Sequence, residues 1–210
     1  IYPSCSRKVE GLSFYEDRLF PWGIDKACGS KGFGRKRARL FSEHPLSGTV
    51  LEIGFGSGTN LPYIPTAVDL YIAVDLAVRA RKYAAKRLER YPVPLEYAGL
   101  DGASLEVPDD SVDFVVSTMS LCTIPDAPKA LSEAHRVLKP GGELIFLEHG
   151  LSPNPKIANK QHRYNSLQRR LFGGCNLNRP IFDLIEDSGL ELLSRTNFQM
   201  PGPKALGYMY

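Results

Sequence analysis

Val50-Leu51-Glu52-Ile53-Gly54-Phe55-Gly56-Ser57-Gly58-Thr59-Asn60 runs from an apolar, strand-forming segment into three alternate glycines, and a helix is predicted to follow. Glycine tolerates positive φ and lets a backbone approach a ligand with no Cβ in the way. An ordinary strand-to-helix turn needs one such residue. Three of them at the carboxyl end of a strand fit the place where open α/β sheets bind ligands.

Working outward, short apolar runs alternate with amphipathic ones. Residues 49–53, 69–74, 95–98, 112–117 and 143–149 read as strands, several apolar on consecutive positions, as strands covered on both faces should be. Residues 78–91, ended by Pro92, and 128–138, stopped by Pro140-Gly141-Gly142, read as helices. This alternation predicts an α/β, Rossmann-like, doubly wound sheet that is mostly parallel. Upstream, residues 9–45 read as an interrupted helical segment, so 1–46 is expected to be an N-terminal helical unit and 47–210 the main domain. Downstream, 155–172 and 179–188 read as helices, and 190–198 with 205–210 as an antiparallel closing pair.

Two carboxylates extend the site. Asp75 ends Tyr71-Ile72-Ala73-Val74-Asp75, where it can accept both hydroxyls of a ribose or cap the helix expected from Leu76. Asp101 follows the third strand; it is either a solvated turn residue or an acceptor for an adenine amino group, with a backbone N–H of Gly102 or Ala103 meeting a ring nitrogen. Gly54, Gly56 and Gly58 read GxGxG, whereas the dinucleotide fingerprint reads GxGxxG, and Thr59 stands where its last glycine would be.

Together with Asp75, Ser111-Val112-Asp113-Phe114-Val115-Val116 and Arg136-Val137-Leu138-Lys139-Pro140-Gly141-Gly142, the glycine stretch resembles the class I S-adenosylmethionine-dependent methyltransferases over about the central half of the chain. The resemblance implies a seven-stranded sheet with an antiparallel last strand. It also implies S-adenosylmethionine as cofactor and S-adenosylhomocysteine as product. Glu52 to Gly58 would contact the methionine part, with Asn60 and Leu61 among the cofactor positions. Asp75, with Leu76 beside it, would hold the ribose, and Asp101 and Gly102 the adenine. Thr118 would lie under the sulfonium. Asn60-Leu61-Pro62-Tyr63-Ile64-Pro65, Leu121-Cys122-Thr123-Ile124, Glu148-His149 and Gly173-Gly174-Cys175-Asn176-Leu177-Asn178-Arg179 resemble the alkyl-thiol methyltransferase group, and more distantly the ubiquinone-biosynthesis type.

An acceptor needs a free lone pair. A thiol, with a pKa of about 8.5, supplies one near neutrality without a strong base. His149, at the end of the fifth strand, is the expected acceptor-orienting group or base, with Thr118 as a second catalytic candidate; local backbone bonding is an equal reading for His149. Glu148 should point to the opposite face from His149. His44, His135 and His162 have no convergent partner in sequence. Phe14, Tyr15, Leu19, Phe20 and Trp22 are expected either to lid the acceptor pocket, against Tyr164, Leu167 and Phe172, or to pack as plain helix faces.

The remaining expectations come from composition. The chain has 210 residues and a formal net charge of +3, too small to argue for nucleic acid. No apolar run approaches the roughly 20 residues of a membrane span. A chain opening at Ile1 shows no secretory signal and leaves an upstream anchor open. Four cysteines (Cys5, Cys28, Cys122, Cys175) without a CxxC pair predict reduced thiols in a cytoplasmic protein, with neither a disulfide framework nor a metal site. The basic runs Arg35-Lys36-Arg37-Ala38-Arg39 and Lys156 to Arg170 read as solvated faces, or as a peripheral contact with anionic lipid. The resulting expectation is S-adenosylmethionine-dependent methyl transfer to a small acceptor, a thiol first. A lipid or quinone precursor is the second choice, and a non-catalytic cofactor-binding protein the third.

Overall fold

The computed structural model describes residues 20–75 and 80–210. Its strands are β1 (Gly48–Ile53), β2 (Val68–Val74), β3 (Leu95–Tyr97), β4 (Val112–Thr118) and β5 (Leu138–Leu147), all paired in parallel in the order β3-β2-β1-β4-β5. Strand β1 is central, and successive side chains leave it for opposite faces. Val50 packs with Phe55, Tyr71 and Val116, while Leu51 packs with Val74, Val115 and Val137. Cores on both faces explain the consecutive apolar residues of these strands. The strand order reverses between β1 and β4, which opens a crevice at their carboxyl ends.

The described helices are α1 (Phe20–Cys28), α2 (Lys31–Glu43), α3 (Arg81–Arg90), α4 (Ala127–Val137), α5 (Pro155–Leu171) and α6 (Ile181–Asp187). Helix α4 is capped by Asp126, whose side chain accepts from the Lys129 N–H, and it buries Ala127, Ala130, Leu131, Ala134 and Val137 at helical spacing. Helix α6 brings Ile181 and Ile185 against Leu121 and Leu131.

Two expectations are corrected. Among the described residues no α-helix follows the glycines: Leu61–Tyr63 makes a single 3₁₀ turn before β2. Pro65 is the reason, because the residue before a proline is driven out of the helical region, and Ile64 is extended there. The closing strands are also far shorter than expected, shrinking to β6 (Phe198–Gln199) and β7 (Tyr208–Met209), an antiparallel pair separate from the five-stranded sheet. Residues 190–197 form no strand, and Leu193 stays exposed with no partner strand to cover it. Continuity with the large sheet survives only as backbone bonds: Glu148 and Tyr210 exchange N–H···O contacts of 3.0 and 2.7 Å, beside an antiparallel bridge between His149 and Met209.

Candidate functional site

The loop after β1 is shaped by close approach. Gly54 has φ +81°, and a Cβ on it would lie 1.9 Å from Ser120 Oγ, so the loop after β4 presses directly on this backbone. Gly58, at φ +71°, would collide with Leu61 Cδ1 at 2.7 Å. Gly56 differs: at φ +55° its Cβ would meet no side chain but the carboxylate of Asp75, at 3.7 Å. The Gly56 N–H donates to Asp75 Oδ2, so bare backbone and a carboxylate meet beyond the ends of β1 and β2.

Beneath the loop lies a buried polar network. Glu52 accepts from Asn60 Nδ2 and from the Tyr71 hydroxyl, each at 2.7 Å, and is 1 % exposed. Asn60 Nδ2 also donates to Thr118 Oγ1 at 3.1 Å, while Asn60 Oδ1 accepts from Arg37 Nε at 2.7 Å. Arg37 is itself 1 % exposed, and its Nη1 donates to the Cys28 carbonyl at 2.6 Å. Burial pushes the Glu52 carboxyl up to about 8, against the hydrogen bond from Tyr71 and the charge of Arg37. Burial likewise pushes Arg37 down from its ordinary value. Both oxygens of Glu52 are therefore spent on Tyr71 and Asn60, so it holds the loop from below. A second arginine ties the loop sideways: Arg87 Nη1 donates to the Ser57 carbonyl at 2.7 Å and pairs with Asp25 of α1 at 2.6 Å.

Asp101 Oδ1 accepts from the Ala103 N–H at 2.9 Å, closing its own turn. The Ala103 amide is thus committed within the turn. A Cβ on Gly102 would lie 2.6 Å from Ile53 Cγ2, so glycine there lets the turn sit on the end of β1.

At the ends of β4 and β5 a different cluster forms. Glu148, fully buried, accepts from the Ser117 hydroxyl at 2.8 Å and from the N–H groups of Ser120 and Leu121 at 2.9 and 3.1 Å. Burial pushes its carboxyl up, against those three donors. His149 points the other way, as alternation demands, and its Nε2 lies 2.7 Å from Cys175 Sγ. Burial pulls the imidazole down, but the bond and charge of Cys175 reverse this and the net direction is up. Cys175 Sγ lies 3.7 Å from Cys122 Sγ, and that contact followed by burial raises the Cys175 thiol. The expectation of scattered cysteines holds along the chain and fails in space.

Other sequence-predicted residues fall as follows. Leu76, Cys5, Phe14, Tyr15 and Leu19 lie outside the described residues. Trp22 is exposed. Tyr164, Leu167 and Phe172 line a groove with Pro203, Ala205 and Leu206 in which no glycine-loop residue takes part. Arg37 corrects the reading of its basic run as a solvated face. It and Tyr71 were missed as site residues, because nothing local marks one arginine among three, or one strand tyrosine, as the partner of a buried acid.

The Methyltransferase domain family profile matches residues 51–146. A rat (Rattus norvegicus) thiol S-methyltransferase, TMT1B, is 32 % identical over 161 residues, covering 72 % of this chain and 66 % of that protein. The phosphatidylethanolamine N-methyltransferase of Cereibacter sphaeroides is 28 % identical over 132 residues, covering 61 % and 64 %. A crystal structure from Bacillus halodurans C-125 shares the fold at a TM-score of 0.68, with 24 % identity over 78 % of this chain and 72 % of that one. The chain belongs to the class I S-adenosylmethionine-dependent methyltransferases. It spans 64–66 % of the length of the curated thiol S-methyltransferases it matches.

Proposed function

We propose that the chain transfers the methyl group of S-adenosylmethionine to a small thiol, releasing S-adenosylhomocysteine. The observation that carries the cofactor half is the Gly56 N–H bonded to the Asp75 carboxylate, with only that carboxylate and the Gly54 carbonyl near a side chain placed at 56. In this reading the backbone of Gly54 to Gly58 takes the methionine part, with Asn60 and Leu61 shaping the loop's end. Asp75 accepts the ribose hydroxyls, and Asp101 with the Gly102 N–H meets the adenine. Thr118, at the end of β4 and tied to Asn60, borders the sulfonium. The bound cofactor supplies an already activated methyl, so the chain's task is alignment, which is worth about 7–11 kcal/mol.

The thiol is supported by the likeness to thiol S-methyltransferases and by the soft groups Cys122, His149 and Cys175 at the acceptor end of the same edge. His149 orients the acceptor there. Calorimetry with S-adenosylmethionine tests the first half: binding is expected in the wild type and weakened in Asp75→Asn. Product mass analysis with labelled cofactor and a pool of thiols, phenols and lipids tests the second, with a methyl thioether expected. Tight binding of a nicotinamide dinucleotide in place of the adenosyl ligand would sink the reading.

A lipid-like acceptor is the second reading, favoured by the exposed Tyr164, Leu167 and Phe172 beside Lys156, Lys160 and Lys204 on one groove, and by the likeness to a phosphatidylethanolamine methyltransferase. No helix among the described residues is long and apolar enough to cross a membrane, so the contact in this reading is peripheral. Sedimentation with anionic vesicles at low salt, lost on charge reversal at Lys156 and Lys160, would favour it over the thiol.

A further inference from the structure

Cys122, His149 and Cys175 come from three separate loops, yet their donor atoms all lie within 4.8 Å of one another. The two sulfurs are 3.7 Å apart. Zinc bound by two thiolates at about 2.3 Å with tetrahedral angles holds its sulfurs about 3.8 Å apart. The imidazole Nε2, at 2.7 Å from Cys175 Sγ, lies inside that geometry. A tetrahedral ion would open this contact to about 3.5 Å, a small movement of one ring.

The surroundings hold the three residues as a unit. The Cys122 carbonyl accepts from both the backbone N–H and the side-chain Nδ2 of Asn176, at 2.8 and 3.0 Å, which pins the Cys175 loop to the Cys122 turn. Glu148, adjacent to His149, holds that same turn through its N–H groups. Bracing of this kind is what fixes metal ligands in place. Two thiolates also balance a divalent charge, which a buried pocket favours, and thiolate with imidazole selects soft ions.

We propose that Cys122, His149 and Cys175 bind a thiolate-preferring divalent ion, zinc in the first place, and that its fourth position seats the acceptor thiol. Three protein ligands are the pattern of zinc sites that keep one position open. The site stands on the ligand-bearing edge of the sheet. Ser120, two residues before Cys122, donates to the Gly54 carbonyl at 3.3 Å, and β5 lies two strands, about 10 Å, from β1. The seat for the acceptor rests on the thiol-methylation reading; the metal site does not. On binding, the acceptor thiol gives its proton to solvent. Its sulfur lone pair then forms the bond to the methyl carbon as the methyl–sulfonium bond breaks, and that electron pair stays on the sulfur of S-adenosylhomocysteine. The neutral thioether, a poorer ligand, departs, and the ion keeps its oxidation state.

The test uses the full chain, reduced with a phosphine and titrated with cobalt(II). One equivalent should bind, with visible d–d bands of tetrahedral cobalt and a thiolate charge-transfer band in the near ultraviolet. Zinc should displace it. Cys122→Ser and the less buried Cys175→Ser should each lose charge-transfer intensity, and affinity should fall by more than the roughly 10–100-fold that loss of an outer-shell partner costs. Absent bands overturn the site, as do bands unchanged in both variants, or a Cys122–Cys175 disulfide with no metal uptake after reduction. Adding a small alkyl thiol should shift the bands, and an unmoved spectrum overturns the acceptor seat. Calorimetry with S-adenosylmethionine on the same samples separates the claims: a cobalt site without cofactor binding counts against the methyltransferase reading and not against the metal.

Discussion

The glycine loop and the cysteine–histidine cluster stand on one sheet edge, two strands apart, and they are assembled in opposite ways. The loop's visible parts, Glu52 to Asn60, are contiguous, and its carboxylate ends the very next strand. The cluster draws on the turn after β4, the extension of β5 and the loop after α5. Contiguous parts are held by backbone geometry; dispersed parts are held by whatever braces the loops that carry them. Substitutions should therefore act on the first region through strain and unpaired polar groups, and on the second locally.

The largest effect is expected beneath the loop. Arg37→Met leaves the Cys28 carbonyl without its Arg37 donor and Asn60 Oδ1 with only the 3.4 Å contact from the Thr118 hydroxyl, at about 1–3 kcal/mol each, so urea unfolding should show a loss of about 2–6 kcal/mol. Arg39→Ala, two positions on in an exposed pair with Glu43, should change stability by no more than about 0.5 kcal/mol. Equal losses from the two would erase the distinction between a buried brace and a solvated face.

Next comes Gly54→Ala. Overpacking against Ser120 at about 1–3 kcal/mol and the left-handed backbone at about 1–2 kcal/mol should together cost about 2–5 kcal/mol in stability, with cofactor affinity falling in parallel. Asp75→Asn should leave folding nearly intact and raise the calorimetric Kd for S-adenosylmethionine by about 10–100-fold, the value of hydrogen bonds to a charged acceptor. An unchanged Kd would move the ribose away from this carboxylate.

Glu52 gives a pH signature. Its folded pKa, about 8, lies above its ordinary value of 4.5, so folding favours the protonated form. That contribution is fully present below 4.5 and is lost as pH rises toward 8, at up to about 1.4 kcal/mol per pH unit. Measured against Glu52→Gln, wild-type stability should decline across this window and run parallel above it. Parallel curves throughout would mean that Glu52 does not titrate there. The smallest effect is expected for Cys175→Ser on cofactor binding, about twofold or less in Kd, since its contacts lie with His149 and Cys122 and not with the loop. A large change would couple the two regions directly.

Much of the glycine loop was legible because its signals are local. Glycines at 54, 56 and 58 report backbone that no side chain can share, and Asp75 follows from where β2 must end. The paired strands, parallel except at the carboxyl terminus, followed from periodicity. The predicted helix after the loop failed because Pro65 outweighs the pattern around it. The closing strands failed because alternation at 190–197 carries no information about whether a partner strand is present. Arg37 and Tyr71 escaped notice because a basic run and a strand tyrosine look the same whether or not a buried acid lies opposite.

By itself, the chain's order of residues determined the class: a strand, three bare backbone positions and a carboxylate one strand later mark a methyltransferase domain, since all of these are set by short-range sterics and strand ends. Tertiary structure alone decided that Arg37 is buried under the loop, and that Cys122, His149 and Cys175 meet, with the two cysteines 53 positions apart in the chain. Convergence of distant segments depends on how β4, β5 and α5 pack, and packing is a property of the whole core that no local spacing encodes.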